Sequence, residues 1–341
     1  MDIEKKQINT SSIEKLVLKL MEEKRLVYAP VKNDDIIDFQ PISSYKEMEQ
    51  DYISTVQSAK SIVFPRVEKL FDMEGQENNA TLIDKDLGLI PEVVLLGTRP
   101  CDASGFNGLE SIFGGDLVDN IFDTRLKKTC IISISCKNSD AKCFCTSVNG
   151  NPGDTKGSDI LLTQIDNNNY LAEIITSKGS EIVAANHELF DVAPEVDKNK
   201  HLTDVPVVFD IDNILGKVFS KFDDQIWLEQ SLRCIGCGTC AYVCPTCGCF
   251  DIQDLFDGKK GMRKRSWDSC GFDLFTLHAS GHNPRSVQSQ RWRQRIMHKF
   301  QYMHENDNVI GCVGCGRCSR SCSVNMNIKN HLINLEKEIV K

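Results

Sequence analysis

The chain has 341 residues, of which 40 are basic and 48 acidic, so its formal charge at neutral pH is −8. This length suits about two domains of ordinary size, and a hydrophobic fraction of 41% is typical of a globular protein and not of a disordered one. The acidic balance gives no support to a nucleic-acid-binding protein, because such proteins usually carry a strongly basic domain.

The first half of the sequence predicts a mixture of helices and strands. Apolar residues at helical spacing predict a helix over 12–24, capped by Ser11 or Ser12. The next strand, over 26–30, is expected to end at Pro30. Further strands are predicted over 36–42, 61–64, 93–96, 129–134 and 170–175, with a helix over 103–113. These elements indicate an α+β fold over the first 220 residues.

The second part of the sequence is rich in glycine, cysteine and basic residues. Helical segments are predicted over 214–219 and 226–232, and an amphipathic helix over 328–340. The N-terminus has no apolar leader core, and no apolar run approaches the roughly 18–20 residues that span a bilayer. We therefore expect a cytoplasmic protein without a membrane span.

The unusual feature of the composition is its 16 cysteines. None precedes residue 101, five lie in 101–145, and eleven lie in 234–322. In a reducing compartment, clustered thiols are metal ligands more often than disulfides. The distribution therefore predicts metal binding in two separate parts of the chain.

Eight of these cysteines form two copies of the pattern C-x2-C-x2-C-x3-C, which start at Cys234 and Cys312. This pattern binds 4Fe-4S clusters in bacterial ferredoxins, where the fourth cysteine ligates the other cluster. Each fourth cysteine is expected to begin the following helix. The predicted ligands are Cys234, Cys237, Cys240 and Cys322 for cluster 1, and Cys312, Cys315, Cys318 and Cys244 for cluster 2. Zinc is the alternative, although structural zinc sites usually combine two C-x2-4-C pairs a dozen or more residues apart.

The repeats also predict the domain organisation. An α+β domain over 1–220 would carry an additional cysteine group at 101–145. A bacterial-type, two-cluster ferredoxin-like domain would follow over 221–341, with a long basic insertion over 250–311 between the two motifs.

Four further cysteines follow two predicted strands. Cys101 comes after the strand over 93–96, and Cys136, Cys143 and Cys145 come after the strand over 129–134. If both strands belong to one sheet, these thiols could converge at one edge as a third cluster site. The alternative is a set of free, partly buried thiols.

The remaining cysteines have no clear pattern. Cys247, Cys249 and Cys270 are of uncertain use, as extra ligands, neighbours of a cluster or another site, because no fourth ligand can be named. Cys130 lies within a predicted strand and is expected to be structural.

The basic insertion permits several interpretations. Residues 281–299 contain five Lys or Arg and no acid, and with Trp292 and Tyr302 they could contact nucleic acid. Cations beside anionic clusters, or docking of an acidic partner or an anionic flavin nucleotide, are favoured over that interpretation. His278 and His282 have the ligand-like spacing H-x3-H, but no C-x2-C pair a dozen residues upstream completes a zinc finger.

Nucleotide-binding and catalytic motifs are missing from the sequence. It has no G-x-G-x-x-G, no P-loop and no G-x-S-x-G. A nicotinamide or flavin site is therefore expected on another chain, and no catalytic residue is predicted.

These motifs together resemble a family that comprises the iron–sulfur β subunit of cytosolic sulfhydrogenases and the A subunit of anaerobic sulfite reductase. Pro284 and Ser323 depart from the family, which usually has a bulky residue and a proline at these two positions. The resemblance is carried by Val27–Pro30, Gly97–Asp102, Cys136–Cys145, Cys234–Phe250, Trp267–Cys270, Gly281–Asn283, Arg291–Lys299 and the second repeat.

The resemblance implies a non-catalytic electron-transfer subunit of a multi-subunit oxidoreductase. Its two 4Fe-4S clusters would relay electrons between a flavin- and nicotinamide-binding subunit and a catalytic subunit of hydrogenase or sulfite reductase type, which carries nickel–iron or siroheme. Two alternatives stay open: a zinc-binding interaction or nucleic-acid module, and an enzyme in its own right with an open cluster site near Cys101 and Cys143.

Overall fold

Two sheets and a set of short helices make up the computed structural model, which describes residues 3–75 and 81–341. The strands in this part of the chain are β1 (Glu4–Asn9), β2 (Leu26–Asn33), β3 (Ile36–Pro41), β4 (Val67–Glu74), β5 (Thr81–Asp84), β6 (Val93–Thr98), β7 (Thr129–Ile134), β8 (Ile160–Gln164), β9 (Asn169–Ile174), β10 (Asp191–Val192), β11 (Phe250–Phe256) and β12 (Lys260–Trp267). The helices are α1 (Thr10–Glu22), α2 (Lys60–Val63), α3 (Pro100–Phe113), α4 (Asn120–Lys127), α5 (Ser177–Ala185), α6 (Ile226–Ser231), α7 (Thr239–Tyr242), α8 (Gln288–Met297), α9 (Met303–Asp307), α10 (Arg317–Arg320) and α11 (Ile328–Val340).

The larger sheet has eight strands in the order β10-β1-β9-β8-β7-β6-β2-β3. Its centre is parallel, because β2 pairs with β6, β6 with β7, and β7 with β8 in the same direction. The outer strands pair antiparallel. Strand β6 is buried along its whole length, as expected of a parallel strand covered on both faces.

Helices cover both faces of this sheet. On one face, Leu16 of α1 belongs to the same buried cluster as Val94, and α5 packs there too. On the other face, Leu109 of α3 packs with Leu95, and α2 and α4 join the same cluster. The helices do not cover the end of the sheet where the carboxyl ends of the parallel strands β6 and β7 lie side by side. Cys101 and Cys136 follow these two strands at that end.

The smaller sheet is antiparallel, with the order β11-β12-β4-β5. Two of its strands come from residues 67–84 and two from the basic insertion, so backbone pairing joins segments from both sides of the predicted boundary at 220. The Arg265 guanidinium of β12 donates to the Glu68 carboxylate of β4 at 2.7 Å, across 197 residues of sequence. The division into domains stays a prediction.

Several predicted elements appear at or near their expected bounds. Strand 129–134 and helix 328–340 are observed as β7 and α11, and the strands over 36–42, 93–96 and 170–175 shift by two residues or fewer at each end. The helix over 103–113 begins three residues earlier, at Pro100. The segment 226–232 forms α6, and 214–219 forms turns that lead into a 3-10 helix over Val218–Lys221.

Three local predictions were wrong. Residues 61–63 lie in helix α2 and Phe64 is its C-cap; the strand was predicted because a short apolar run does not distinguish a strand from a buried helix. Helix α1 is capped by Asn9, whose side chain accepts from the Ser12 amide at 2.9 Å. Strand β2 continues past Pro30, since its pairing with β6 covers only Leu26–Tyr28 and no amide hydrogen is needed there.

A separate buried cluster supports the cysteine repeats. It includes Trp292 of α8 and Leu332 of α11, and cysteines of both repeats pack against it. The Trp292 ring meets the His331 imidazole edge to face, with ring centroids 4.9 Å apart. This core therefore joins the insertion to the C-terminal helix.

The pH dependence of stability should carry a contribution from His331. Burial lowers the pKa of this imidazole from its ordinary value of 6.5 to about 4. Between these two values the unfolded chain takes up a proton that the folded chain rejects, so stability falls as the pH is lowered. The loss should reach about 2 kcal/mol by pH 5. Urea unfolding of His331→Leu at pH 7 and pH 5 measures it, because the variant should lose less stability than the parent over that interval.

His187→Leu is the matched control, since the His187 side chain is 85% exposed. This variant should keep the pH dependence of the parent chain. An unchanged pH dependence in His331→Leu would show that the imidazole is protonated equally in both states.

Candidate metal centres

The two cysteine repeats fold alike. In each, a glycine with positive φ turns the loop between the first two cysteines: Gly236 at 69° and Gly314 at 64°. A one-turn helix, α7 or α10, then holds the third cysteine. Helices α7 and α10 contact each other, so the two repeats lie side by side. This placement allows each repeat to offer its fourth cysteine to the other.

The cysteines predicted for cluster 1 line one cavity, together with Cys270 and Cys318. The Gln288 side-chain amide lies 3.1 Å from Cys234 Sγ, and the Met326 backbone amide donates to Cys322 Sγ at 3.2 Å. Cys237 is exposed, and its hydrogen bonds with the Thr239 hydroxyl and amide lower the pKa of its thiol. The cavity therefore opens to solvent at Cys237. The four predicted ligands of cluster 1 that line this cavity are Cys234, Cys237, Cys240 and Cys322.

The cysteines predicted for cluster 2 face one another in the interior. Burial raises the pKa of Cys312 to about 11 and that of Cys318 to about 12. Cys312, Cys315 and Cys318 all lie close enough to Cys244 for a thiolate there to raise the pKa further. The Thr246 hydroxyl lies 3.2 Å from Cys244 Sγ. These four thiols are therefore buried within electrostatic reach of one another.

The fourth cysteine of each repeat does not begin a helix, which corrects the prediction. Cys244 and Cys322 lie in irregular backbone just after α7 and α10. The short helix instead carries the third cysteine. The predicted exchange of ligands between repeats would therefore depend on the contact between α7 and α10, and not on the start of a further helix.

The four cysteines of the candidate third site come together at the edge of the large sheet. Cys101 is the second residue of α3, directly after β6, and Cys136 follows β7. Cys143 and Cys145 approach them from the next loop, and all four line one cavity with Cys315. The convergence follows from the parallel pairing of β6 and β7.

The second repeat packs directly on this loop. The Phe144 amide donates to the Gly314 carbonyl at 2.9 Å. A Cβ on Gly314 would lie only 2.5 Å from Cys145 Cα, so only glycine fits at this contact. The candidate third site and the second repeat therefore form one continuous thiol-rich region.

Buried charges flank the candidate third site. The Arg317 guanidinium is 1% exposed and donates to the Asp102 carboxylate at 2.6 Å. Within the described residues, Arg317 Nη1, Arg99 Nε and Asp102 Oδ1 are buried without a hydrogen-bond partner. Two of these three atoms belong to cationic groups beside the thiols of Cys101 and Cys136. Unpaired cationic donors at this place fit an anionic iron–sulfur group.

The three cysteines of uncertain use adjoin both sets of predicted ligands: Cys270 lines the cavity of the first set, and Cys247 contacts Cys244 of the second. The Cys270 side chain and amide hydrogen-bond to Cys249 and lower the pKa of its thiol. The Cys247 thiol contacts Cys244 and, with Lys299 and Arg295 nearby, holds the pKa of Cys244 well below its ordinary value. In the parts of the chain that the structure describes, no three or more His, Cys, Asp or Glu side chains are close enough together to bind one metal ion.

The remaining candidates have other surroundings. His278 and His282 lie with ring centroids 5.3 Å apart on the surface. Trp292, offered above as a contact for nucleic acid, is 5% exposed and packs in the core. Cys130 is buried in β7, as expected of a structural residue.

Lys60 escaped the sequence analysis, and it is buried beside the thiols together with Arg295 and Lys299 of the basic insertion. A signal for two of them was present, because Arg295 and Lys299 share a helical face with Trp292 at spacings of three and four residues. Cations on the same face as a tryptophan indicate a buried, charged surface and not a solvated one.

Comparison with known proteins agrees with this geometry. Residues 233–326 match the family described as the 4Fe-4S dicluster domain. The chain is 29% identical over 310 residues to the Sulfhydrogenase 2 subunit beta of Pyrococcus furiosus, covering 89% of this chain and 90% of that one. The cysteine repeats thus lie in a segment similar to 4Fe-4S dicluster domains, and most of the chain is similar to a sulfhydrogenase β subunit.

No solved structure matches this chain. Among the described residues, no helix has both the length and the apolar character that a membrane crossing requires. Its two cysteine repeats lie within the matched range, and the thiols at 101–145 lie outside it.

Proposed function

We propose that this dicluster subunit relays electrons within a cytoplasmic, multi-subunit oxidoreductase of hydrogenase or sulfite reductase type. The observation that carries the proposal is the pair of adjacent four-thiol sets. Each bound cluster supplies a one-electron redox centre. The proposed ligands are Cys234, Cys237, Cys240 and Cys322 for cluster 1, and Cys244, Cys312, Cys315 and Cys318 for cluster 2.

The two thiol sets differ in exposure. All sixteen cysteines lie within the described residues, and only Cys237 among them is exposed. The thiols of the second set are enclosed by protein. This arrangement suits a relay that meets a redox partner at the surface beside Cys237 and keeps water away from its inner site.

The partners follow from the relative and from the missing motifs. The matched relative is named as a subunit of a sulfhydrogenase, which supports a multi-subunit complex of hydrogenase type. Because this sequence lacks a dinucleotide-binding motif, we propose that a separate subunit carries flavin and nicotinamide. A further subunit with nickel–iron or siroheme would carry out catalysis.

A third 4Fe-4S cluster is proposed at the edge of the large sheet. Four thiols converge there, and unpaired cationic donors of Arg99 and Arg317 adjoin them. This site would lie next to the second repeat, because Cys315 lines the same cavity. The ligands would be Cys101, Cys136, Cys143 and Cys145.

Iron and sulfide analysis of anaerobically purified protein tests both proposals. Two clusters correspond to about eight iron and eight acid-labile sulfide per chain, and three clusters to about twelve of each. In the three-cluster case, Cys143→Ser should lose about four iron. Cys130→Ala is the matched control and should keep the full iron content, since Cys130 is buried in the sheet away from these sites.

Other outcomes would point elsewhere. Zinc without sulfide would overturn the relay in favour of a zinc-binding module. Eight iron in both the parent chain and Cys143→Ser would remove the third cluster and leave the other two. Activity of the isolated chain with an artificial donor, lost in Cys143→Ser but kept in Cys318→Ser, would identify an enzyme.

A further inference from the structure

Three buried cations lie close to the thiols without an acidic partner. Lys60, Arg295 and Lys299 are only 3%, 4% and 3% exposed. None of them forms an ion pair with any carboxylate in the described parts of the chain. Two other buried arginines behave differently, because Arg265 and Arg317 each pair with a buried acid, whereas Arg99, beside the candidate third site, also has no acidic partner in the described residues.

Unpaired charges in a protein interior are strongly unfavourable unless something compensates them. Backbone carbonyls supply part of the compensation here: Lys60 Nζ donates to the Cys247 carbonyl at 2.8 Å, and Arg295 Nη2 donates to the Cys240 carbonyl at 3.0 Å. Carbonyl dipoles carry no net charge. Three positive charges in one place therefore require an anionic group.

Sulfur atoms are among the other contacts of Lys299 and Arg295, while Lys60 Nζ lies 4.1 Å from the centroid of the Trp267 ring. Lys299 Nζ lies 3.4 Å from Cys244 Sγ, and Arg295 Nη1 lies 3.5 Å from Cys247 Sγ. A cluster bound by four thiolates is anionic, and the cations surround one of its proposed ligands, Cys244. The charges thus compensate one another when cluster 2 is present.

The surroundings of cluster 1 are different. Its ligands Cys234, Cys237 and Cys322 have neutral hydrogen-bonding neighbours, namely the Gln288 amide, the Thr239 hydroxyl and the Met326 backbone amide. Arg295 lies between the two sets, whereas Lys299 contacts only the second. Positive charge is therefore concentrated at the second set.

We propose that Lys299, assisted by Lys60, raises the reduction potential of cluster 2 above that of cluster 1. Reduction adds one negative charge to a cluster, and a nearby cation stabilises that charge strongly in an interior of low dielectric constant. The inference rests on the proposed function, because it requires both clusters. In this proposal Lys299 acts on cluster 2 through its positive charge, and it is not a ligand of the cluster.

Redox titration of the full chain, followed by electron paramagnetic resonance, tests this proposal. In Lys299→Met, the ratio of reduced to oxidised cluster 2 at a fixed potential should fall at least tenfold. This change corresponds to a downward shift of about 59 mV for a one-electron couple. Lys299→Arg keeps the charge and should restore most of the parent ratio. Lys259→Met removes an exposed lysine and should change neither cluster.

Lys60→Met provides a second variant, because Lys60 donates to carbonyls and does not touch a proposed ligand. It should shift cluster 2 in the same direction. Iron and sulfide are measured on every sample. Full iron with unchanged potentials in both methionine variants would overturn the inference and leave the two-cluster function intact. A parent chain without iron and sulfide would overturn the proposed function itself.

Discussion

Cys318→Ser should remove cluster 2 and stop electron throughput in the assembled complex. Cys318 lies in α10, is buried, and faces the thiols of Cys244, Cys312 and Cys315. Serine is a poor ligand for iron in comparison with thiolate, so the variant should fall from about eight to about four iron in the dicluster domain. Throughput from a reduced donor to the terminal acceptor should drop to background.

The same iron and throughput measurements include a control variant and an outcome that would contradict the prediction. Cys130→Ala also replaces a buried cysteine, but one packed in the sheet core, and it should keep both its iron and its throughput. Normal throughput with full iron in Cys318→Ser would count against the ligand assignment of cluster 2.

Arg317→Leu should have the largest effect on folding stability. The Arg317 and Asp102 side chains are each 1% exposed, and Nη2 donates to Oδ2 at 2.6 Å. The pair joins the second repeat to the first turn of α3. Removing the cation leaves the Asp102 carboxylate buried and uncompensated, so the free energy of unfolding should fall by about 3–5 kcal/mol.

Anaerobic urea unfolding of the full chain measures this effect. The double variant Arg317→Leu/Asp102→Leu should recover much of the loss, because a buried ion pair is often replaceable by apolar residues. Arg263→Leu is the matched control: its bidentate pair with Asp254 is on the surface, with side chains 41% and 48% exposed, so solvent screening should make this loss far smaller than that of Arg317→Leu. Equal losses in Arg317→Leu and Arg263→Leu would contradict the argument.

The sequence predicted the site best where structure is local. The repeats at 234–244 and 312–322 fold as two similar loops because cysteine and glycine spacing determines the backbone there. The apolar runs at 93–96 and 129–134 indicated buried strands, and their parallel pairing brings Cys101 near Cys136. The candidate third site was therefore foreseeable as a hypothesis before the pairing was known.

Contacts between distant segments could not be predicted. Strand β11 is exposed at every residue, and its alternation of apolar and polar residues covers only Phe250–Gln253, which is too short to identify a strand. Lys60 reaches the Cys247 carbonyl across 187 residues, and a single sequence contains no signal for such a contact. Arg317 resembles any other charged residue of a basic segment until its partner Asp102 is known. Polar residues that act in the interior depend on the whole fold.

The pairing of β4 with β12 has a consequence for biogenesis. Glu68 and Arg265 are 197 residues apart, so β4 leaves the ribosome long before its neighbour exists. Strand β4 can pair with β5 at once, but its other edge stays open until β12 is made, and an open strand edge favours aggregation. Strand β12 and the two cysteine repeats are synthesised at nearly the same time. Iron delivery and closure of the small sheet should therefore be late, linked steps in maturation.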